Sequence, residues 1–152
     1  MYKGQLQARI EDAKRAEAAA RSADERIDNS EGSQASSGFA RIVYGNHHGF
    51  MAHYESASHG LFSEPLAREG DSMQRDYWMT AGRRLSDLED PASVGRRAAG
   101  RALRRLGAKR VATCEVPILF DEMTAPSLIG QLTSCLGGYS VYRESSFLAQ
   151  RM

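Results

Sequence analysis

The sequence predicts an α+β fold: an N-terminal helix, an antiparallel four-stranded meander, and then helix, strand and helix. Three observations carry this. Apolar residues recur every three or four positions from Tyr2 to Ile27 and again from Pro91 to Leu106, the period of a helix face. Between these stretches lie four short runs of strand character, punctuated by glycine and charged turns, as consecutive antiparallel strands are. The resulting order, α, β-meander, α, β, α, indicates an α+β class.

The first helix places Leu6, Ile10, Ala13, Ala16, Ala20, Ala23 and Ile27 on one stripe. Because the stripe is mostly alanine, it suits close packing on a sheet or another helix better than a coiled coil, which wants larger residues there. Glu11 with Arg15 and Glu17 with Arg21 stand at the i,i+4 spacing that favours ion pairs. The Ser- and Gly-rich stretch 29–38 reads as a break. Strands are expected at 39–44, 49–57, 59–68 and 73–82.

The second long helix has its signals at both ends: Asp90 to cap it, Pro91 at its first position and Gly107 to stop it. Val94, Ala98, Ala102, Leu103 and Leu106 form one half of its wheel, and Arg96, Arg97, Arg101, Arg104 and Arg105 the other. A strand at 109–120 follows, confined to an edge by Pro117. The last helix, 124–137, gathers Leu128, Ile129, Leu132, Cys135 and Leu136 on one face and stops at Gly137 and Gly138.

A chain of 152 residues, 41% hydrophobic, can bury one modest core. No stretch approaches the roughly 18 consecutive apolar residues of a membrane span, and the N-terminus is charged where a signal peptide is apolar, so a cytoplasmic protein is expected. Cys114 and Cys135 form neither a disulfide framework nor a CxxC pair and are expected to be small buried hydrophobes. With 20 basic and 19 acidic residues, no global field commits the chain to nucleic acid or to anionic membranes.

Two clusters invite a chemical reading. All four histidines, His47, His48, His53 and His59, fall within fifteen residues, yet the specific zinc signatures, HExxH or short-spaced Cys/His pairs, are absent, so solvated or hydrogen-bonded sheet histidines compete with a metal site. The face Arg96–Arg105 is suited to phosphates, but no aromatics interleave with it and nearby acids can neutralise it; nucleic-acid binding is unlikely to be its role. No GxSxG or phosphate-binding loop is present.

Six segments, "RIDNSEG" (26–32), "YGNHHGF" (44–50), "SASHGLFS" (56–63), "GDSMQRDYW" (70–78), "LEDPASVGRRAAGRALRRL" (88–106) and "GGYSVYRESSFL" (137–148), together resemble the PmbA/TldE branch of the TldD/PmbA proteins. The resemblance implies a cytoplasmic, heterodimeric zinc metalloprotease of a TldD and a TldE subunit, acting on peptides and unfolded polypeptides, in a family also named for modulating DNA gyrase. TldD-type chains carry an HExxxH helix. Here Gln131, Leu132 and Leu136 stand at the positions of its first His, its Glu and its second His, and leucine has no lone pair to give a metal. The resemblance therefore implies a metal-free subunit without catalytic residues of its own, with zinc in a TldD-like partner. It makes His48, His59, Arg75, Asp76 and Arg143 candidates for a peptide cavity or a subunit interface. It also implies that residues 1–152 are one partial domain of a longer architecture whose C-terminal β-rich domain is absent. A non-functional truncated fragment and a nucleic-acid module remain as rivals.

Overall fold

Alanine and glycine decide how the helices of this chain pack. In the computed structural model, which describes residues 2–149 and the side chains of residues 6–149, helix α1 spans Tyr2–Arg21. Ala16 and Ala20 of the expected stripe are fully buried, while Leu6 and Ile10 remain exposed. The helix ends at Arg21, six residues before the stripe does, because Asp24 turns the chain: its carboxylate accepts from the Arg26 backbone N–H at 3.0 Å and from the Arg26 guanidinium at 2.9 Å. That contact lowers the Asp24 pKa from its ordinary 3.8 to about 2. Neither expected i,i+4 ion pair forms. Arg15 instead reaches Asp90 at 2.8 Å, and Arg21 donates to the Asp28 carbonyl at 3.4 Å.

Four antiparallel strands follow. β1 (Ile27–Gly45) and β2 (Met51–Glu69) form one long hairpin, in register from Ile27 opposite Ala67 to Gly45 opposite Met51. β3 (Ser72–Arg75) and β4 (Trp78–Gly82) both pair with the other edge of β2, one after the other. Three boundaries differ from expectation. The stretch 29–38 is strand, not a break: Gly32, at φ +118°, absorbs the irregularity as a bulge, and the serines pair with small partners such as Ser63, whose Oγ lies 2.9 Å from that of Ser33. The break expected between 57 and 59 is absent: those two runs are the single strand β2, with Gly60 in its middle, where a Cβ would lie 3.1 Å from the Ser36 hydroxyl. The segment 109–120 forms no ladder, because it meets no strand among the described residues, and its Val111, Val116, Ile118 and Leu119 are exposed.

Helix α2 (Pro91–Arg104) is capped as expected, the Asp90 carboxylate accepting from the Ser93 N–H at 3.2 Å, and Gly107 follows it at φ +68°. The helices α1 and α2 lie on the face of the hairpin that carries Leu61, Ser63 and Ala67, and the core consists of these with Ile27, Ala16, Ala20, Val94, Ala98, Ala99 and Ala102. Leu103 and Leu106 close its edge. Such small residues fill space only if backbones come close. At Gly95 they do: a Cβ there would lie 2.0 Å from the Ala16 carbonyl oxygen.

The chain divides into two units, 1–109 and 110–152. The second holds α3 (Ala125–Cys135) and the short α4 (Gly138–Tyr142), tied by the buried Ser146 hydroxyl donating to the Cys135 carbonyl at 2.7 Å. On α3, Leu128, Ile129, Leu132 and Leu136 are exposed. Both cysteines are free thiols, and Cys114 is exposed rather than buried because the segment carrying it has no strand to lie against.

Gly95→Ala is expected to destabilise the chain by about 3 kcal/mol, since its Cβ meets backbone that cannot rotate away. Gly100→Ala, on the exposed side of the same helix, is expected to stabilise by about 0.5–1 kcal/mol through helix propensity. Urea unfolding followed by the fluorescence of Trp78, the one tryptophan, measures both.

Candidate functional site

The third ribbon of the sheet breaks where β2 carries a proline. β3 ends with Arg75 opposite Leu66 and β4 begins with Trp78 opposite Ser63, so Glu64 and Pro65 have no partner on that edge. Pro65 has no N–H to offer a ladder there, and Asp76 and Tyr77 are released from the strand geometry. Two of the five candidates, Arg75 and Asp76, consequently stand at the start of the break and turn to different partners.

Asp76 turns under α2. Its Oδ1 accepts from Arg101 Nε at 3.3 Å and from the Tyr77 N–H at 2.8 Å, and Arg105 Nη1 lies 3.7 Å from Oδ2. With the Asp76 side chain 13% and that of Arg101 19% exposed, this pair is largely withdrawn from water. Arg75 turns outward between Glu31 at 3.4 Å and Glu64 at 3.8 Å. Between the two arrangements lies a cavity of about 480 Å³, walled by Glu31, Glu64, Arg75 and Arg105 and floored by Leu66 and Met73. Its lining combines both signs of charge with the apolar Leu66 and Met73.

Beside it, Trp78 fixes α2 to β4. The indole N–H donates to Glu89 Oε1 at 3.0 Å, Arg97 lies 3.8 Å over the ring, and Arg97 also bridges to Glu89 at 3.1 Å. Glu89 in turn donates its backbone N–H to Thr80 Oγ1 at 3.2 Å. Three of the five arginines on the α2 face, Arg97, Arg101 and Arg105, are thus held by carboxylates of the same chain. Glu89 is one of the nearby acids expected to neutralise the arginine face, and it does so at Arg97; Glu31 and Glu64 carried no signal in the sequence beyond Pro65 inside a strand pattern.

Within the first unit, His59 and His48 stand apart from Arg75 and Asp76. His59 Nδ1 sits 2.6 Å from Ser37 Oγ on the adjacent strand, and Arg9 Nε donates to the same hydroxyl at 2.8 Å. His48 lies in the hairpin turn, its N–H bound by Asn46 Oδ1 at 3.0 Å and its ring 3.8 Å from that of His47. Arg143, in the second unit, donates to the Tyr139 hydroxyl at 2.9 Å.

Zinc does not fit the residues in place. His53 and His59 stand six residues apart on one strand, roughly 20 Å at strand rise, and among the described residues no three His, Cys, Asp or Glu side chains gather as a ligand set. On α3 the Gln131 amide lies 3.9 Å from Cys135 Sγ, and Leu132 and Leu136 offer no donor.

Residues 5–106 match the model of the PmbA/TldA metallopeptidase central domain. The chain is 44% identical over 139 residues to the metalloprotease PmbA of Escherichia coli O157:H7, covering 91% of this chain and 31% of that protein. It is 36% identical over 137 residues to the PmbA homolog of Haemophilus influenzae, covering 90% of this chain and 30% of the relative. The chain therefore spans about a third of the length of these relatives. Its fold is shared by a Thermotoga maritima protein named as a modulator of a DNA gyrase, with a TM-score of 0.64 and 23% identity over 70% of this chain and 24% of that one.

Asp76→Ala is expected to cost about 3 kcal/mol by removing the carboxylate that Arg101 pairs with in a largely dry site. The double change Asp76→Leu with Arg101→Met is expected to cost less than the two single changes added together. Thermal unfolding of the four variants closes the cycle.

Proposed function

The chain belongs to the PmbA/TldA metallopeptidase family, and from that premise we propose that it serves as a PmbA/TldE-type, metal-free part of a cytoplasmic two-subunit metalloprotease. In this reading a TldD-like subunit carries the zinc, and this chain shapes the space in which peptides and unfolded polypeptides are held. The observation that supports it most is the donor set of α3: Gln131, Leu132 and Leu136 occupy the positions where the family resemblance sets the metal-binding HExxxH. The cavity beside Arg75 and Asp76 supports the second half of the reading. Its paired charges and apolar floor match the mixed polarity of an extended peptide better than they match a phosphate backbone.

The rival reading, a nucleic-acid surface on α2, loses weight from the pairing of Arg97, Arg101 and Arg105 with Glu89 and Asp76. Counterion release needs cations available to phosphate.

Co-expression with a TldD-type subunit is expected to give a stable complex in which that subunit holds the zinc, while this chain purified alone contains none by elemental analysis. Tight one-to-one zinc in the isolated chain, lost on His48→Ala with His59→Ala, contradicts the reading.

A further inference from the structure

The helices cover only the base of the long hairpin. β4 pairs with β2 no further than His59, so from Phe39 opposite Ala57 to the turn at residues 46–49 the ribbon has two strands and a free edge on each side. A two-stranded ribbon alone in water is marginally stable. This one is held internally by the Asn46 turn, whose Oδ1 accepts from the N–H groups of His48 and Phe50 at 3.0 and 3.2 Å, by Tyr44 against Phe50 at 5.9 Å, and by Arg41 with Glu55 at 3.3 Å.

Register assigns its side chains to two faces. Phe39, Val43 and Met51 share the face that, further down, lies under the helices; Tyr44 and Tyr54 share the opposite one, with Phe50 beside Tyr44. Both faces thus carry large apolar side chains, and these six are 54 to 79% exposed; the helix-side face also holds the Arg41–Glu55 pair and His53 between them. A ribbon resting on a surface by one face leaves the apolar groups of the other in water. Apart from three histidines, the only charged residues between 39 and 57 are Arg41 and Glu55, which neutralise each other.

We infer that this arm, Phe39–Ala57, is inserted into a second protein subunit, which encloses it in an uncharged, apolar cleft. Two numbers favour a protein over other occupants. Covering the six side chains removes on the order of 700 Å² from water, taking roughly 150–200 Å² for a large side chain, close to the roughly 800 Å² per partner of a standard interface. The self-neutralised charge leaves nothing to attract phosphate backbones or anionic lipid. The inference rests on the two-subunit reading above and names the element that makes the contact.

The test compares the complex of the unmodified chain and the TldD-type subunit with the complex of a Met51→Asp, Tyr54→Asp chain. The double variant is expected to bind at least tenfold more weakly in a titration by light scattering. Its Trp78 fluorescence transition is expected to stay unchanged, since both sites lie beyond the helix-covered layer. Undiminished binding by a folded variant overturns the assignment of the arm while leaving the two-subunit reading intact. Absence of any complex with the unmodified chain overturns both. Binding of the unmodified arm to neutral phosphatidylcholine vesicles, lost in the variant, assigns it to a membrane and overturns the inference as well.

Discussion

The contact between α1 and α2 at Gly95 is the constraint on which the rest of the structure depends. With the Ala16 carbonyl so near the Gly95 Cα, the two helices touch backbone to backbone, and the alanines that flank the contact have no bulk with which to hold them farther apart. Only at that distance do Ala20, Ala98, Ala99 and Ala102 reach the sheet residues Leu61, Ser63 and Ala67. The core is thin for that reason: its largest wholly buried side chains are Val94, Pro65 and Ser63. Dispersion between closely packed small groups, rather than the transfer of large side chains, does the holding.

That placement also builds the site. Docking α2 this close brings Arg97 over Trp78 and Arg101 onto Asp76, and both contacts fall at the one point where the sheet edge is interrupted. Pro65 makes the interruption, the interruption frees Asp76, and Asp76 meets Arg101 and Arg105, the latter at the wall of the cavity. A surface that looks basic in sequence becomes, in the fold, one whose charge is largely spent on its own carboxylates.

The α+β class, the cap of α2 by Asp90 and the choice of its buried half were legible because they depend on local spacing. The alanine stripe told of close packing but not of its partner, since the clash that makes Gly95 necessary involves a carbonyl some eighty residues away. Long-range pairing is also why 29–38 and the break between 57 and 59 misled: serine and glycine signal turns on average, and here a neighbouring strand supplies what the signal assumes is missing. The segment 109–120 failed in the opposite sense, with strand composition and no strand to join. In the candidate site, Arg75 and Asp76 were found through family resemblance, whereas their partners Glu31, Glu64 and Arg101 could be found only through the fold; His48 and His59 do not join them.

If α1, α2 and the hairpin base form one layer locked at Gly95, they open together, and the arm opens without them. Native-state hydrogen exchange in low urea measures this residue by residue. A single opening free energy and a single urea dependence are expected for the amides of α1, α2 and residues 61–67, with the amides of residues 39–57 exchanging on the order of a hundredfold faster or more. Independent opening of α1, at lower free energy than α2 and the sheet, would contradict it.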